Sequence, residues 1–307
     1  MITRFNKTLI FAAILSIAPC SMVLAQSNQD VQSSSSDNSI TQGSGKDSPS
    51  HALIKNNNWY FSWGYSRQWY APSDIHVTQP GLGNNFTVHQ AQASDLAASV
   101  PETIDSTFKL NFFAPQENIR IGNFIDAEKT FAIEFSLDHS KYNTNLGQTA
   151  RVTGTINNLP VDQNMVLDQQ TFDYVHHNGL NHLMLNAVWL HHLYGPKQKP
   201  GDLESISRIG AGFLLPHSEN TILGNTNEVG PKWGQNTCCF ARNDWWQLLG
   251  WTAGVEVGMR YRISESMYLE LTAKEAYSVL RRVPVYQGSA DQEIWMTEGV
   301  FSAGFLF

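Results

Sequence analysis

The chain ends in Glu293-Ile-Trp-Met-Thr-Glu-Gly-Val-Phe-Ser-Ala-Gly-Phe-Leu-Phe307, the most informative segment for the fold. Counting back from Phe307, every second position is mostly apolar or aromatic, while the positions between include Gly304, Ser302 and Glu298. A period of two with one apolar face is typical of a β-strand. In a soluble domain this terminal strand would expose apolar surface, whereas in lipid a closed barrel makes that face stable. The stretch therefore predicts a transmembrane β-barrel.

The same alternation recurs in seven earlier segments. In the clearest of them, Trp251, Val255 and Val257 share one face, and Glu256 and Arg260 share the other. The eight predicted strands lie at about 58–70, 116–125, 129–142, 180–194, 204–216, 248–262, 266–280 and 293–307. We therefore expect an all-β protein, an antiparallel up-and-down barrel of about eight strands.

The connections between these segments alternate in length. Those after the second, fourth and sixth segments are short, and the others are mostly long, at 71–115, 143–179, 217–247 and a smaller 281–292. Outer-membrane barrels have short periplasmic turns and long extracellular loops, so both termini are expected in the periplasm. Hairpin patterns at 74–89 and 150–168 predict that two loops continue the sheet above the bilayer. Ten strands remain an alternative if these hairpins enter the membrane.

The amino terminus has the pattern of an export signal. Arg4 and Lys7 precede the apolar stretch Leu9–Ile17, and Val23-Leu24-Ala25 forms a cleavage site before Gln26. We expect residues 1–25 to be a signal peptide. Residues 26–57 are rich in Ser, Asn, Gln, Asp and Gly, which predicts a disordered periplasmic leader. The barrel would then occupy residues 58–307, in the outer membrane.

The charge of the chain argues against a nucleic-acid partner. Residues 1–25 carry two basic side chains and no acidic one, so the mature chain has 18 basic against 27 acidic residues, a net −9. After residue 25, no apolar run approaches the roughly 20 residues that a transmembrane helix requires. If the protein lies in a membrane, it must therefore cross it with strands.

A soluble β-sandwich or calycin-type barrel is the competing fold, with the apolar faces pointing inward. Wide apolar faces in nearly every segment and aromatic residues near the segment ends favour lipid instead. The residues predicted to form the membrane girdle are Trp59, Trp63, Trp189, Trp251, Phe305 and Phe307.

The polar faces of the segments carry four acidic and four basic residues. The lumen of an eight-stranded barrel is only wide enough for side chains to fill it, and a buried charge there must be paired. The predicted lumen ion-pair network consists of Arg120, Glu134, Asp138, Arg208, Glu256, Arg260, Glu270 and Lys274. This balanced set disfavours a general diffusion pore.

The terminal Phe307 strand, the alternation and the loop asymmetry resemble the small outer-membrane barrels of Gram-negative bacteria, the OmpA-transmembrane and OmpX class, over residues 58–307. The segments Asp74-Ile-His76, Asp138-His-Ser-Lys-Tyr142 and His177-Asn-Gly-Leu-Asn181 also look similar to an uncharacterised group of bacterial barrel proteins. The resemblance implies the fold but no activity. It also implies partners: outer-membrane lipids, lipopolysaccharide, and the barrel-assembly machinery acting on the C-terminal strand.

A lipid-modifying hydrolase is the alternative function. Asp138, His139, Ser140 and His177 would lie near one rim, and Ser, His and Asp are the ingredients of acyl transfer. His139 and Ser140 are neighbours, however, so their side chains point to opposite faces of a strand. An acidic residue with two His would alternatively suit a transition metal. We expect neither a metal nor a cofactor.

The long loops are the more promising functional surface. Loop 217–247 contains Cys238, Cys239, Trp245 and Trp246, and aromatic residues are common anchors at interfaces. The two Trp could instead belong to the membrane girdle. The leading expectation is a non-enzymatic structural or surface-interaction role through extracellular loops.

Overall fold

The computed structural model describes residues 58–96, 99–108, 116–228, 238–239 and 245–307, with the backbone alone at residues 103, 106–108, 177–178, 228 and 238–239. The expected signal peptide 1–25 and nearly all of the leader 26–57 lie outside the described residues. Both stay predictions.

The described chain consists almost entirely of β-strands. They are β1 Trp59–Tyr70, β2 Ser73–Gln79, β3 Asn84–Ala91, β4 Ala93–Ser94, β5 Glu117–Phe124, β6 Phe131–Thr144, β7 Thr149–Ile156, β8 Leu159–Val166, β9 Phe172–Tyr194, β10 Leu203–Pro216, β11 Glu219–Ile222, β12 Asn225–Glu228, β13 Cys238–Cys239, β14 Trp246–Gln247, β15 Gly250–Arg262, β16 Met267–Val285 and β17 Gly288–Leu306. Helix α1 spans Val100–Phe108, and a 3-10 turn spans Pro80–Leu82. Within the described ranges, no helix is both long and apolar enough to cross a membrane.

Eight strands close into a ring. The hydrogen-bonded order is β1, β5, β6, β9, β10, β15, β16 and β17, and every neighbouring pair is antiparallel. Strand β17 then pairs back to β1, from Tyr60 opposite Leu306 to Tyr70 opposite Met296. The predicted antiparallel eight-stranded barrel is confirmed, and the ten-strand alternative is wrong because the loop hairpins lie outside the ring.

The apolar faces of the ring point outward. Val255, Leu271 and Phe305 are 39%, 65% and 46% exposed, whereas Glu256 and Lys274 are buried inside. Water would not support a barrel that exposes its apolar residues and buries its charges, but lipid does. The protein is therefore a transmembrane barrel, and the soluble alternative is wrong.

One end of the ring carries short turns, at residues 125–130, 195–202 and 263–266. Trp59 and Phe307 meet at this end, where the Trp59 amide donates to the Phe307 carbonyl at 3.1 Å. We call it the short-turn end and its opposite the long-loop end.

The predicted girdle residues lie on the outer surface of the ring at different levels. Trp59, Trp189, Phe305 and Phe307 are exposed near the short-turn end, and Trp251 is exposed towards the long-loop end. Trp63 lies between these levels, opposite Ala303 of β17, and its Nε1 donates to Glu117 at 3.1 Å. An aromatic row that was not predicted continues from Trp251. Tyr277 lies 5.8 Å from Trp251 between ring centroids, and Trp295 lies 4.9 Å from Tyr277.

At the long-loop end the strands continue beyond the ring. The connection predicted at 281–292 is instead largely strand, because β16 and β17 run on to a tight turn at Tyr286 and Gln287, where Gln287 has a φ of 48°.

The loop hairpins add further strands to this end. Beyond the segment that pairs with β1, β17 pairs with β2, followed in order by β3, β7 and β8. The two predicted hairpins are confirmed as β2–β3 and β7–β8. On another side, β11 joins β9 to β12. Together with the ends of β6, β9, β16 and β17, these strands form what we call the extension.

The interior of the extension is apolar, unlike the lumen below it. Its buried residues include Ile75, Val77, Phe86, Val88, Tyr142, Val152, Phe172, Tyr174, Leu180, Leu280, Val283 and Ile294. They pack into one cluster because inward positions of the hairpins and of the overrunning strands converge. The barrel interior thus changes from charged to apolar along its axis.

Candidate functional site

Arg208 lies at the centre of the charges in the lumen. Its Nε donates to Glu134 Oε1 at 3.0 Å, and its Nη1 donates to Glu256 Oε1 at 2.9 Å. Its Nη2 donates to Glu270 Oε2 at 3.0 Å. The guanidinium group presents several donors in a rigid plane, which suits contact with more than one carboxylate. A single arginine on β10 therefore ties together β6, β15 and β16.

Asp138 lies between two cations on the same level of the barrel. Arg120 Nη1 is 3.4 Å from its Oδ1, and Lys274 Nζ is paired with its Oδ2. Arg120 also reaches Glu256 Oε2 with its Nη2 at 3.1 Å. The network is thus continuous from β5 through β6 to β16.

Glu298 is a member of this network that was not among the predicted lumen residues. Its Oε2 is 3.5 Å from Lys274 Nζ, and its Oε1 accepts from Gln68 at 2.8 Å. Glu298 stands directly opposite Lys274 in the β16–β17 register and is fully buried. The signal was present, since Glu298 occupies the polar face of the terminal stretch, and it adds a fifth carboxylate to the four predicted.

Arg260 is the last of the eight predicted lumen residues, and its guanidinium group lies beside two tyrosine rings. Its Nη2 is 2.6 Å from Glu270 Oε1, and its Cζ lies 3.9 Å from the centroid of Tyr268 and 5.2 Å from that of Tyr60. Both distances are within the range of cation–π attraction. The Tyr60 hydroxyl in turn donates to Glu134 Oε2 at 2.8 Å. The structure therefore places all eight predicted lumen residues inside one connected network.

Little space is left between these side chains. A cavity of about 10 Å³ lies among Arg120, Asp138, Arg208, Glu256 and Lys274. Such a volume has room for about one water molecule. The arrangement can hold charges in place, and this cavity is too small for an organic ligand.

The structure does not assemble the hydrolase candidates into a catalytic group. Asp138 faces the lumen and is paired with Lys274, as described above. The Ser140 hydroxyl donates to the Leu180 carbonyl at 2.7 Å, and His139, on the other face of β6, has its Nδ1 2.7 Å from Asn181 Oδ1. The side chain of His177 lies outside the described residues. Among the described residues, no histidine is hydrogen-bonded to Ser140 as a base. Whether His177 takes part in acyl transfer stays untested.

Two further buried histidines have hydroxyl partners. His182 faces the lumen opposite Asp138, with its Nδ1 3.1 Å from Thr252 Oγ1. His176 lies in the apolar core, and its Nδ1 is 2.6 Å from Ser218 Oγ. Both rings are fully buried, so neither is open to a substrate. Across the described residues, no three His, Cys, Asp or Glu side chains are grouped so that they could hold a metal ion.

In loop 217–247, the described aromatic residue Trp245 packs against the long-loop end of β10. Its ring stacks on the buried ring of His217, with 4.0 Å between centroids and 14° between planes, and its carbonyl is 2.7 Å from His217 Nδ1. Trp246 belongs to β14, whose backbone pairs in parallel with β13. The side chains of Cys238 and Cys239 lie outside the described residues.

The closed ring, its apolar exterior and its charge-paired interior define a small transmembrane β-barrel of eight strands. No protein-family model and no curated protein sequence matches this chain.

Solved structures of small outer-membrane barrels are similar to it. Neisserial surface protein A is 9% identical over 81% of this chain and 97% of its own, with a TM-score of 0.32. The outer membrane protein AlkL is 13% identical over 86% and 97%, with a TM-score of 0.35. OprG of Pseudomonas aeruginosa is 8% identical over 81% and 96%, with a TM-score of 0.34. The fold of this chain is established by its own strand pairings, since similarities at such low identity and TM-score do not establish it.

Proposed function

We propose that this protein is an outer-membrane barrel that does not conduct, and that it serves a structural or surface-interaction role through the extension. Export would depend on the signal peptide expected at residues 1–25, and insertion would bring it into contact with outer-membrane lipids and lipopolysaccharide. The extension would face the outside of the cell, and the short-turn end the periplasm, as in other barrels with this loop asymmetry.

The charge-paired interior is the observation that supports this proposal. Arg208 binds three carboxylates across the lumen, and the apolar core of the extension lies above them. Opening a water path would require separating buried ion pairs, and breaking one costs several kcal/mol. Steady passage of ions or solutes through this lumen is therefore unfavourable.

The outer face of the extension supports the surface role. The ring of His89 lies between Asp74 and Thr153. Its Nδ1 is 3.0 Å from Asp74 Oδ2, and its Nε2 is 2.7 Å from Thr153 Oγ1. On the neighbouring β7–β8 hairpin, Arg151 pairs with Asp162 through two bonds of 2.8 Å. These contacts hold a polar sheet surface in a fixed shape, which reduces the entropy lost when a partner binds.

Conductance across a planar lipid bilayer tests whether the lumen is sealed. Purified protein inserted from non-ionic detergent should give no steady single-channel current, while a general porin in the same bilayer gives large steps. Reproducible channels from the folded protein would overturn the proposal.

An epitope tag tests which end faces outward. A tag inserted between Asn157 and Asn158, at the tip of the β7–β8 hairpin, should bind antibody on intact Gram-negative cells. The matched control is the same tag in the turn 263–266 at the short-turn end, which should bind only after the outer membrane is permeabilised. The reverse pattern would contradict the proposed orientation.

A further inference from the structure

Helix α1 lies in the long connection between β4 and β5 and is not part of the ring of strands. A capping box fixes its start, since the Ser99 amide donates to Glu102 Oε2 at 2.8 Å and the Glu102 amide donates to Ser99 Oγ at 3.5 Å. Isolated helices shorter than about 12 residues are marginal in water, and in proteins most of their stability comes from packing of an apolar face. A helix of nine residues therefore needs a surface that covers it.

The apolar side chains of α1 share one face and are exposed. Val100 and Ile104 are four residues apart, which places them on the same side of the helix, and they are 48% and 41% exposed. Glu102 lies on the opposite side, because two positions along a helix turn by about 200°. No described strand packs extensively against α1. The described part of the chain thus leaves this apolar face uncovered.

The segment before α1 is held on the outer wall of the barrel. Strand β4 pairs with Trp69 of β1 on one side and with the end of β6 on the other. Asp95, directly after β4, accepts from Arg67 Nε at 2.8 Å and from the Gln68 amide at 3.0 Å. The chain from Asp95 to Ser99 advances four residues and so spans at most about 14 Å. Helix α1 therefore begins close to the outer surface of β1.

A charge on β6 indicates which side of α1 is nearer to the barrel. The pKa of Glu102 is lowered by hydrogen bonds from Ser99 and, to a smaller degree, by the positive charge of Lys141. The side of α1 that carries Glu102 is therefore the one nearer to β6. The opposite face, with Val100 and Ile104, is turned away from the wall.

The start of α1 is level with the upper edge of the lipid-facing surface. Trp69 is 60% exposed and stands opposite Thr297, two residues from Trp295, which is 53% exposed. Trp69 thus extends the exposed aromatic row of Trp251, Tyr277 and Trp295 around the ring. Aromatic rings on the outside of a membrane barrel lie at the boundary between the acyl chains and the headgroups. Because β4 pairs with Trp69, α1 leaves the barrel at this boundary.

We propose that α1 is an interfacial helix that lies on the leaflet at the long-loop end, with Val100 and Ile104 inserted among the lipid acyl chains. The helix continues the apolar, lipid-facing surface of the ring. Residues 100–108 contain no Lys or Arg, so burial of apolar side chains holds the helix there, and not attraction to anionic headgroups. This contact requires only that the barrel lies in a bilayer, and it does not depend on a closed lumen or on a partner of the extension.

Quenching of a fluorescent probe in proteoliposomes tests the proposal. The probe NBD is attached to Ile104→Cys, in a chain whose three native cysteines are replaced by serine, and the folded barrel is inserted into phosphatidylcholine vesicles. Asp105→Cys is the matched control, because Asp105 is the next residue of α1, is exposed and lies on a different side of the helix. Compared with the control, the probe at residue 104 should be quenched at least about twofold more by doxyl-labelled lipid and at least about twofold less by iodide present on both sides of the membrane.

A second substitution tests whether the apolar face holds the helix. In the labelled Ile104→Cys chain, Val100→Ser should reduce quenching by doxyl lipid about twofold, because it removes apolar surface from the same face, whereas Asp105→Asn should not change it. Heat-modifiable gel migration should show that every variant is folded. The proposal would be overturned if iodide quenched the probes at residues 104 and 105 equally. It would also be overturned if the probe at residue 104 were shielded from both iodide and doxyl lipid, since protein would then cover this face.

Discussion

Arg208 and Glu256 stand directly opposite each other on β10 and β15, with 2.9 Å between Nη1 and Oε1. The same carboxylate also pairs with Arg120 from the far side of the lumen, with 3.1 Å between Arg120 Nη2 and Glu256 Oε2. Glu256 therefore pairs with two buried guanidinium groups that belong to strands distant from each other in the ring. Its removal would affect the barrel as a whole.

Glu256→Leu should destabilise the barrel by about 3–5 kcal/mol, because it leaves Arg120 and Arg208 short of a buried carboxylate. Urea unfolding in detergent micelles, followed by tryptophan fluorescence, measures the change. Leu271→Val is the control, since Leu271 faces lipid on the outside of the ring, and it should cost well under half as much. Equal, small effects of both substitutions would show that the lumen charges do not support the fold.

Gly304→Ala should destabilise the barrel by about 1–3 kcal/mol, as overpacking commonly does. A Cβ at this position would lie 2.1 Å from Cζ of Tyr268, whose ring contacts the guanidinium of Arg260. The ring would have to move, and the cation–π contact would be lost with it.

Gly299→Ala on the same strand is the control for Gly304→Ala. The closest atom to its added Cβ would be in Trp69 at 3.6 Å, an ordinary contact, so its effect should be close to zero. If both alanine variants unfold at the same urea concentration, the packing of Tyr268 against Gly304 contributes nothing.

Asp74→Asn should destabilise the protein at neutral pH but not in acid. Partial burial acts to raise the pKa of the Asp74 carboxyl, but hydrogen bonds from Gln90 and His89 outweigh it and hold the pKa below its ordinary value of 3.8. A lowered pKa contributes stability above the pKa of the unfolded chain, and this stability is lost as the pH falls through the folded value. The contribution is at most about 1 kcal/mol, since the carboxylate is half exposed to water.

The midpoints of thermal unfolding of wild type and Asp74→Asn, measured from pH 7 down to pH 2, check this dependence. The gap between them should begin to close near pH 3.8 and vanish below it. Glu265→Gln, in the turn at the short-turn end, controls for the loss of one negative charge. A gap that stays constant, or that widens in acid, would contradict the role of the Asp74 hydrogen bonds.

Incubation with lipid A should leave its acyl chains intact, because Ser140 donates to a backbone carbonyl and His139 lies on the opposite face of β6. Mass spectrometry of the extracted lipid reads the result. Acyl loss that requires His139 or His177, and disappears in His139→Ala or His177→Ala, would restore the hydrolase as the leading function.

The periodicity of the sequence was enough to predict the ring. Alternation identifies which residues of a strand share a face, so Val255 and Glu256 had to point opposite ways, and the wide apolar faces then required lipid outside. The eight lumen residues follow from the same rule. The strand ends were harder to predict. Strand β16 continues past residue 280 through a register shift between Leu280 and Val283 and through Pro284, a residue that is uncommon inside strands.

The inside and the outside of the barrel could thus be predicted from the chain alone, because side-chain direction is a local property of an extended backbone. Which charges meet, and that Glu298 pairs with Lys274, could be seen only in the folded barrel. These contacts depend on strand register and on packing across the interior, where residues far apart in the chain meet. No local repeat in the sequence encodes those distances.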